Sequence, residues 1–242
     1  MKKVATYGCS HNCTEFGGAW GHQLTEKLGV SGEWNSAPGH NLGMHPEILL
    51  NNLKNNKYDL IVLQLSSHTR LTTGFRHFDD HNWQWHEFPD NNSARYRDIG
   101  MYSWHSRFDD TAFGTPDLDH FKPKYETKGI HQFMMSEIVL SNWNRYHSNH
   151  LLWLFTSLCK QFNTKLFVFS WYDPMSTYVL PEWKWMLEEF EYIEQSVVGE
   201  KDGFFIKNNI SAIPGDAHYD YDAHERLVNE YLYEPISKCL YT

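Results

Sequence analysis

The run Asp59-Leu60-Ile61-Val62-Leu63-Gln64-Leu65 limits the fold more than any other stretch. It is almost unbroken in apolar side chains, too short for an ordinary helix, and closed by polar residues at both ends. Such a strand has no face for water, so it needs cover on both sides, as central strands of parallel sheets have. Lys3-Val4-Ala5-Thr6-Tyr7 and Lys165-Leu166-Phe167-Val168-Phe169-Ser170 read the same way, residues 32–36 read as a shorter strand, and Phe204-Phe205-Ile206-Lys207 as a short fifth. Helical patterns separate them. Residues 18–28 carry Trp20, Leu24 and Leu28 at helical spacing and stop at Gly29, a C-cap residue. Residues 45–55 carry Ile48, Leu49 and Leu53, with Pro46 in the first turn. Residues 131–162 place Ile138, Val139, Trp143, Tyr146, His150, Leu151, Leu154 and Leu158 on one face and end at Asn163-Thr164. Residues 181–196, opening on Pro181-Glu182, read as a further helix. Strands alternating with helices imply right-handed crossovers and a parallel sheet, hence an α/β domain.

A length of 242 residues suits one large domain with a sizeable core. Residues 71 to about 130 break the alternation. Segments such as HFDDHNWQWHEF and MYSWHSRFDD have few aliphatics and no clean period. The stretch is too long for a plain connection and too aromatic for a disordered one, so an inserted lid or side wall is expected. A net charge of −9 and the lack of any basic run exclude a nucleic-acid footprint. No apolar stretch is long enough to cross a bilayer, so no membrane partner is expected. Met1-Lys2-Lys3 leads straight into a strand, which predicts no signal peptide and a cytoplasmic setting. Cys9, Cys13, Cys159 and Cys239 lack zinc-finger spacing and read as thiols of a reducing compartment.

The chemistry concentrates at the two ends of the chain. The first strand runs into Gly8-Cys9-Ser10-His11-Asn12, and a helix follows. A strand–turn–helix of this kind presents Ser10 at the carboxyl edge of a parallel sheet, where ligands of open α/β sheets bind, with a helix N-terminus aimed at the same place. At the other end, Asp216 and His218 stand in a loop before an amphipathic helix whose buried face is marked by Leu227, Val228, Tyr231 and Leu232. Asp220 is placed to cap that helix and Pro235 to end or kink it. A serine nucleophile needs a base, and the base needs an acid that fixes its tautomer. Ser10, His218 and Asp216 supply all three, with Asp220 and Asp222 as rivals for the acid.

These ends resemble the SGNH (GDSL-like) hydrolase family, whose short members are similar to products of tailed phages and marine bacteria. Gly8-Cys9-Ser10 is similar to its Gly-Asp-Ser block, with Cys where Asp is usual. Asn35-Ser36-Ala37-Pro38-Gly39 is similar to the second block, and Asp216-Ala217-His218 to the last, shortened from Asp-x-x-His. His224 falls where a second histidine often begins the final helix. The third block, usually Gly-x-Asn-Asp, is replaced by Gln64-Leu65-Ser66-Ser67-His68. The resemblance implies a three-layer α/β/α, flavodoxin-like fold with a parallel sheet of about five strands. It implies ester hydrolysis through an acyl-serine on Ser10, with His218 as base and Asp216 as orienting acid. The amides of Gly39 and Ser10 would form the oxyanion hole. The missing asparagine would be replaced by Ser66, Ser67, His68 or Asn41, and Arg70 would hold an anionic substrate. No cofactor is expected.

The insert carries Trp83, Trp85, Tyr96, Tyr102 and Trp104 beside Asp79, Asp80, Asp109 and Asp110. Aromatic faces interleaved with carboxylates suit sugars, so a small-molecule or glycan ester is the expected partner and an O-acylated carbohydrate the preferred substrate. Two other readings stand beside this one. One is a binding or structural protein that kept the fold and lost the activity. The other is a metal-dependent hydrolase using His11, His40, His68, His218 and His224, all near carboxyl-edge loops, although no His-x-His or HExxH spacing supports it and no metal site is expected. His22 and His45 read as ordinary polar surface.

Overall fold

The computed structural model describes residues 1–12, 19–36, 42, 45–66, 70–74, 101–105, 142–199, 202–214 and 218–242. Five strands form one parallel sheet: β1 (Lys3–Gly8), β2 (Ser31–Ser36), β3 (Leu60–Leu65), β6 (Lys165–Ser170) and β7 (Glu191–Tyr192), in the spatial order β2-β1-β3-β6-β7. That is the doubly wound order in which the winding reverses between β1 and β3, so the crevice at the carboxyl end of β1 is the switch point of the fold. Two more strands, β4 (Arg70–Gly74) and β5 (Met101–His105), pair antiparallel as a separate ribbon, β4 at the start and β5 midway along the stretch expected as an insert.

Side chains alternate along the strands and feed two cores. Val4, Leu60, Val62, Phe167 and Phe169 pack with Trp20, Leu24 and Leu28 of α1 (Trp20–Leu28) and with the C-terminal helical segment. Ala5, Tyr7, Ile61, Leu63, Leu65 and Val168 pack on the other side, against α2 (His45–Asn55) and α3 (Asn142–Gln161). The result is the three-layer α/β/α architecture the alternation calls for. Gly29 closes α1 at φ 64°, the left-handed conformation that a C-cap glycine tolerates.

Four expectations need correction. The face of α3 is not the one that the apolar spacing picks out. Ser148, Asn149, Leu152, Phe155, Thr156 and Cys159 are buried, and Leu151 and Leu158 are half-buried against the same core, whereas His150 is exposed and Tyr146 and Leu154 are 40% and 41% exposed; Ile138 and Val139 lie outside the described residues. Asn149 explains the difference. It lies in the core because its side chain donates to Tyr178 O at 3.2 Å and accepts from Leu180 N at 3.1 Å, so a polar residue marks the buried stripe. Second, residues 181–196 are not one helix. A 3-10 helix spans Pro181–Glu188, and the chain then extends into β7, which is the fifth strand. Third, residues 204–207 are a helical turn, α5 (Phe204–Lys207), after the short α4 (Met175–Tyr178). Phe204 and Phe205 are both buried and Ile206 is not, which is no strand alternation. Fourth, of the two outcomes expected at Pro235, an end or a kink, the end does not occur. Pro235 sits in the first turn of α7 (Tyr233–Tyr241), just after α6 (Tyr221–Leu227) and a π-helical stretch (Val228–Leu232), where the widened turn relieves the clash a proline makes inside an α-helix.

The α3 assignment gives a direct check by chemical unfolding. Phe155→Ala should cost roughly 3–5 kcal/mol, as emptied core positions do. Leu154→Ala, one residue away, should change stability by no more than about 0.5 kcal/mol.

Candidate active site

At the end of β1 the chain turns through buried Cys9 into one 3-10 turn, Ser10–Asn12, closed by Asn12 N donating to Cys9 O at 2.9 Å. Asn12 is the brace of this turn. Its amide donates to Thr6 Oγ1 at 3.0 Å, its side-chain oxygen accepts from Gly21 N at 2.8 Å, and its carbonyl accepts from Ser36 Oγ at 2.8 Å. The turn is thereby tied to β1, α1 and β2. Gly21 is required by close approach, since a Cβ there would stand 2.4 Å from Asn12 Oδ1 and 2.5 Å from Thr6 Oγ1.

Gln64 of β3 holds the same turn from the other side. Its Nε2 donates to Cys9 Sγ at 3.2 Å, and its Oε1 accepts from Trp20 Nε1 at 2.9 Å. Gly8 is needed beneath it, because a Cβ at that position would come within 2.5 Å of Gln64 Oε1. Cys9, Cys159 and Cys239 are buried thiols, with no disulfide among the described residues; Cys13 lies outside them.

The far end of the chain returns to this turn. The His11 ring stacks on the Trp171 indole, centroids 4.1 Å apart and planes 17° apart, and the His218 ring lies 5.1 Å from His11. Tyr219 and His224 flank His11 at 6.2 and 6.3 Å. Trp171 follows directly on β6, its N–H donating to Leu65 O at 2.9 Å, and Phe205 of α5 packs edge-on against it at 5.8 Å. The ends of β1, β3 and β6 and the segment before α6 therefore meet at one edge of the sheet.

Ser10, Ser66 and His218 of the expected site residues fall at this edge, and Arg70 is placed in the separate ribbon. Ser10 opens the 3-10 turn, one position before His11; Ser66 is buried just past β3; half-buried His218 packs on His11; and Arg70 opens β4 opposite His105. Gly39, Asn41, Ser67, His68, His40 and Asp216 lie outside the described residues. Asp220 is committed to structure, because its carboxylate accepts from Ala223 N at 2.9 Å and caps α6. Sequence reasoning gave no role to Gln64 or Trp171. Their signal was a polar residue inside an apolar strand and an aromatic residue at a strand's carboxyl end.

His224 is buried, and burial, with a smaller contribution from His218 and against the pull of Asp220, lowers its pKa to about 4. His45 is not surface as its sequence setting suggests. It is buried against Tyr7, ring centroids 5.6 Å apart, and burial lowers its pKa to about 3. His22 is exposed, as expected. Near His11 the imidazoles meet ring against ring, and among the described residues no group of three His, Cys, Asp or Glu is arranged to hold a metal ion.

No family model matches the chain, and no curated protein matches it. Among solved structures it is similar to the psychrotrophic esterase EstA from Pseudoalteromonas sp., at 10% identity and a TM-score of 0.47, over 100% of both chains. It is also similar to a Clostridium thermocellum family 3 carbohydrate esterase, at 11% identity and a TM-score of 0.44, over 98% of this chain and 96% of that one.

The two buried neutral histidines give stability a definite pH dependence. In the unfolded chain each takes up a proton near pH 6.5. In the folded protein each resists protonation down to about 3 (His45) and about 4 (His224). The unfolded state then binds more protons across that window, so their contribution to stability is lost as pH falls below about 6.5. Thermal melts of the wild type should drop through this range, and the drop should be shallower in His45→Gln/His224→Gln. An equal slope in the double variant would remove these residues as its cause.

Proposed function

We propose that this protein is a serine ester hydrolase of SGNH type, with Ser10 as nucleophile, His218 as base and Asp216 as the acid that orients it. One observation carries the reading: the His218 ring, from the far end of the chain, packs against the residue that directly follows Ser10, at the switch point of the sheet. A serine hydroxyl is a weak nucleophile until a neighbouring imidazole takes its proton. Attack would form an acyl-serine and release the alcohol, and water, deprotonated by the same imidazole, would release the acid. The oxyanion would be met by backbone N–H groups at the turn and at Gly39, with Ser66, Ser67, His68 or Asn41 in the place of the family's asparagine.

A fluorophosphonate probe should label the wild type and fail to label Ser10→Ala. Ser10→Ala should abolish hydrolysis of a small activated ester, and His218→Ala should reduce it by roughly four orders of magnitude or more, as loss of a triad member does. Undiminished turnover in Ser10→Ala would end the serine mechanism.

The substrate class proposed is an O-acylated carbohydrate. The support is compositional: the insert at about residues 71–130, proposed as a lid or side wall, carries Trp83 and Trp85 among carboxylates, and it follows closely on β3 at the carboxyl edge. Trp83→Ala/Trp85→Ala should weaken turnover of acetylated glycans about tenfold or more while sparing a small activated ester, since each lost stacking ring removes about 1 kcal/mol of binding. Equal losses on both substrates would discard the carbohydrate.

A further inference from the structure

We propose that the aromatic face shared by α3 and the 3-10 helix Pro181–Glu188 is a binding surface for a neutral polysaccharide chain, built on Trp153, Trp183 and Trp185. The inference goes beyond the ester-hydrolase reading and depends on neither Ser10 nor His218.

The two helices lie side by side. The Tyr146 hydroxyl donates to Glu182 Oε1 at 2.9 Å, the His150 ring meets the Trp183 indole edge-on with centroids 4.6 Å apart, and Lys160 pairs with Glu189. Because α3 feeds the start of β6, the pair runs away from the carboxyl edge and its row of rings. On α3, Tyr146, His150, Trp153 and Leu154 recur at i, i+4, i+7 and i+8, which is one face of a helix. A stripe of this kind is ordinarily buried, yet Trp153 is 45% exposed and the other three are exposed as well. On the 3-10 helix, Trp185 is 50% exposed and lies beside half-buried Trp183, ring centroids 6.1 Å apart and planes 27° apart. Exposed apolar residues scattered singly carry no message, but a patch that gathers several indoles marks an interaction surface.

The ring edges and the charge together select the occupant. None of the three indole N–H groups finds an acceptor among the described residues. His150 Nδ1 donates to Tyr146 O at 2.9 Å, which leaves its Nε2 to accept. The Glu182 carboxylate is exposed, with lone pairs beyond the one that Tyr146 occupies. An apolar partner would strip water from these donors and acceptors and leave them unpaired, which is costly. A sugar carries both halves of the complement. Its C–H face suits a flat indole, and its hydroxyls can accept from the N–H groups and donate to the imidazole and the carboxylate. The net charge of −9 then decides among polar partners. It repels a polyanion, an anionic membrane and a second copy of this chain, and leaves a neutral glycan unopposed.

The test uses the full chain with three neutral oligosaccharides, cellohexaose, xylohexaose and chitohexaose. At least one should bind the wild type and Ser10→Ala alike in titration calorimetry. The same sugar should shift the indole N–H resonances of Trp153 and Trp185, assigned with Trp153→Phe and Trp185→Phe. Trp153→Ala/Trp185→Ala should weaken that binding about tenfold or more and leave hydrolysis of a small activated ester unchanged. Failure of all three sugars to bind would overturn the proposal, as would full affinity in the double variant. If Trp83→Ala/Trp85→Ala alone abolished binding, the glycan would belong to the insert and this surface would be struck. A wild-type dimer in sedimentation velocity that the double variant dissociates would give the face to a second copy and overturn the proposal likewise. If the double variant did not fold, the wild-type indole resonances would decide: a shift supports the surface, and no shift overturns it. Undiminished ester hydrolysis in Ser10→Ala would end the serine mechanism and leave this binding untouched.

Discussion

Burial of β3 on both faces is the constraint from which the rest follows. Every side chain from Leu60 to Leu65 is inside, so helices must cover the sheet above and below, and parallel neighbours joined by crossovers are the arrangement that achieves it. A parallel sheet sends all its strand ends the same way. The turn after β1, Ser66 after β3 and Trp171 after β6 share one edge for that reason, before any chemistry is asked of them. The reversal of winding between β1 and β3 then leaves the first turn without a crossover packed directly over it. The segment that carries His218 returns to the same edge, where its ring packs against His11.

The edge is polar and yet mostly buried, which demands that its hydrogen bonds close on themselves. Asn12 does this for the turn, since its amide and carbonyl reach three different elements, and Gln64 does it between β3, Cys9 and Trp20. Both depend on glycines at the points of closest approach, Gly8 and Gly21. Rings continue the same work with less polarity. Trp171, His11, Phe205 and Tyr219 form a packed row that needs flat surfaces more than donors, and His224, buried beside it, stays neutral well below its usual range.

Much of this was legible in the sequence, because periodicity and caps are local signals. The first four strands of the main sheet, α1 and α2, the Gly29 terminus and the Asp220 cap all follow from residues within a few positions of one another. What escaped depended on partners far along the chain. Asn149 is buried because Tyr178 and Leu180 come to meet it, so the buried stripe of α3 is turned away from the one the spacing of apolar residues marks, with Leu151 and Leu158 at its margin. Glu191-Tyr192 is a strand because β6 offers an open edge, not because two residues carry a pattern. Phe204-Phe205 looked like a strand by composition, and became a helical turn because both rings are drawn to one side, against Tyr231 and Trp171. At the sheet edge, the Ser10–Asn12 turn and the His218 segment were visible as motifs. The ring row between them was not, since stacking leaves no spacing rule in a sequence.

Cys9 shows how a departure from the resembled motif is absorbed. Where the Gly-Asp-Ser block has a carboxylate, this chain has a thiol, 1% exposed, facing the amide of Gln64. A thiol sulfur is a weak acceptor, and the Gln64 amide meets it without burying a charge. A carboxylate in that position would be a buried charge, with Gln64 Nε2 as donor and Gln64 Oε1, already committed to Trp20, as a repelling neighbour. Cys9 and Gln64 are thus fitted to one another, and neither can be read alone. Restoring the motif letter by Cys9→Asp would remove this fit. The difference from the resembled block is a matched pair across two strands, Cys9 with Gln64.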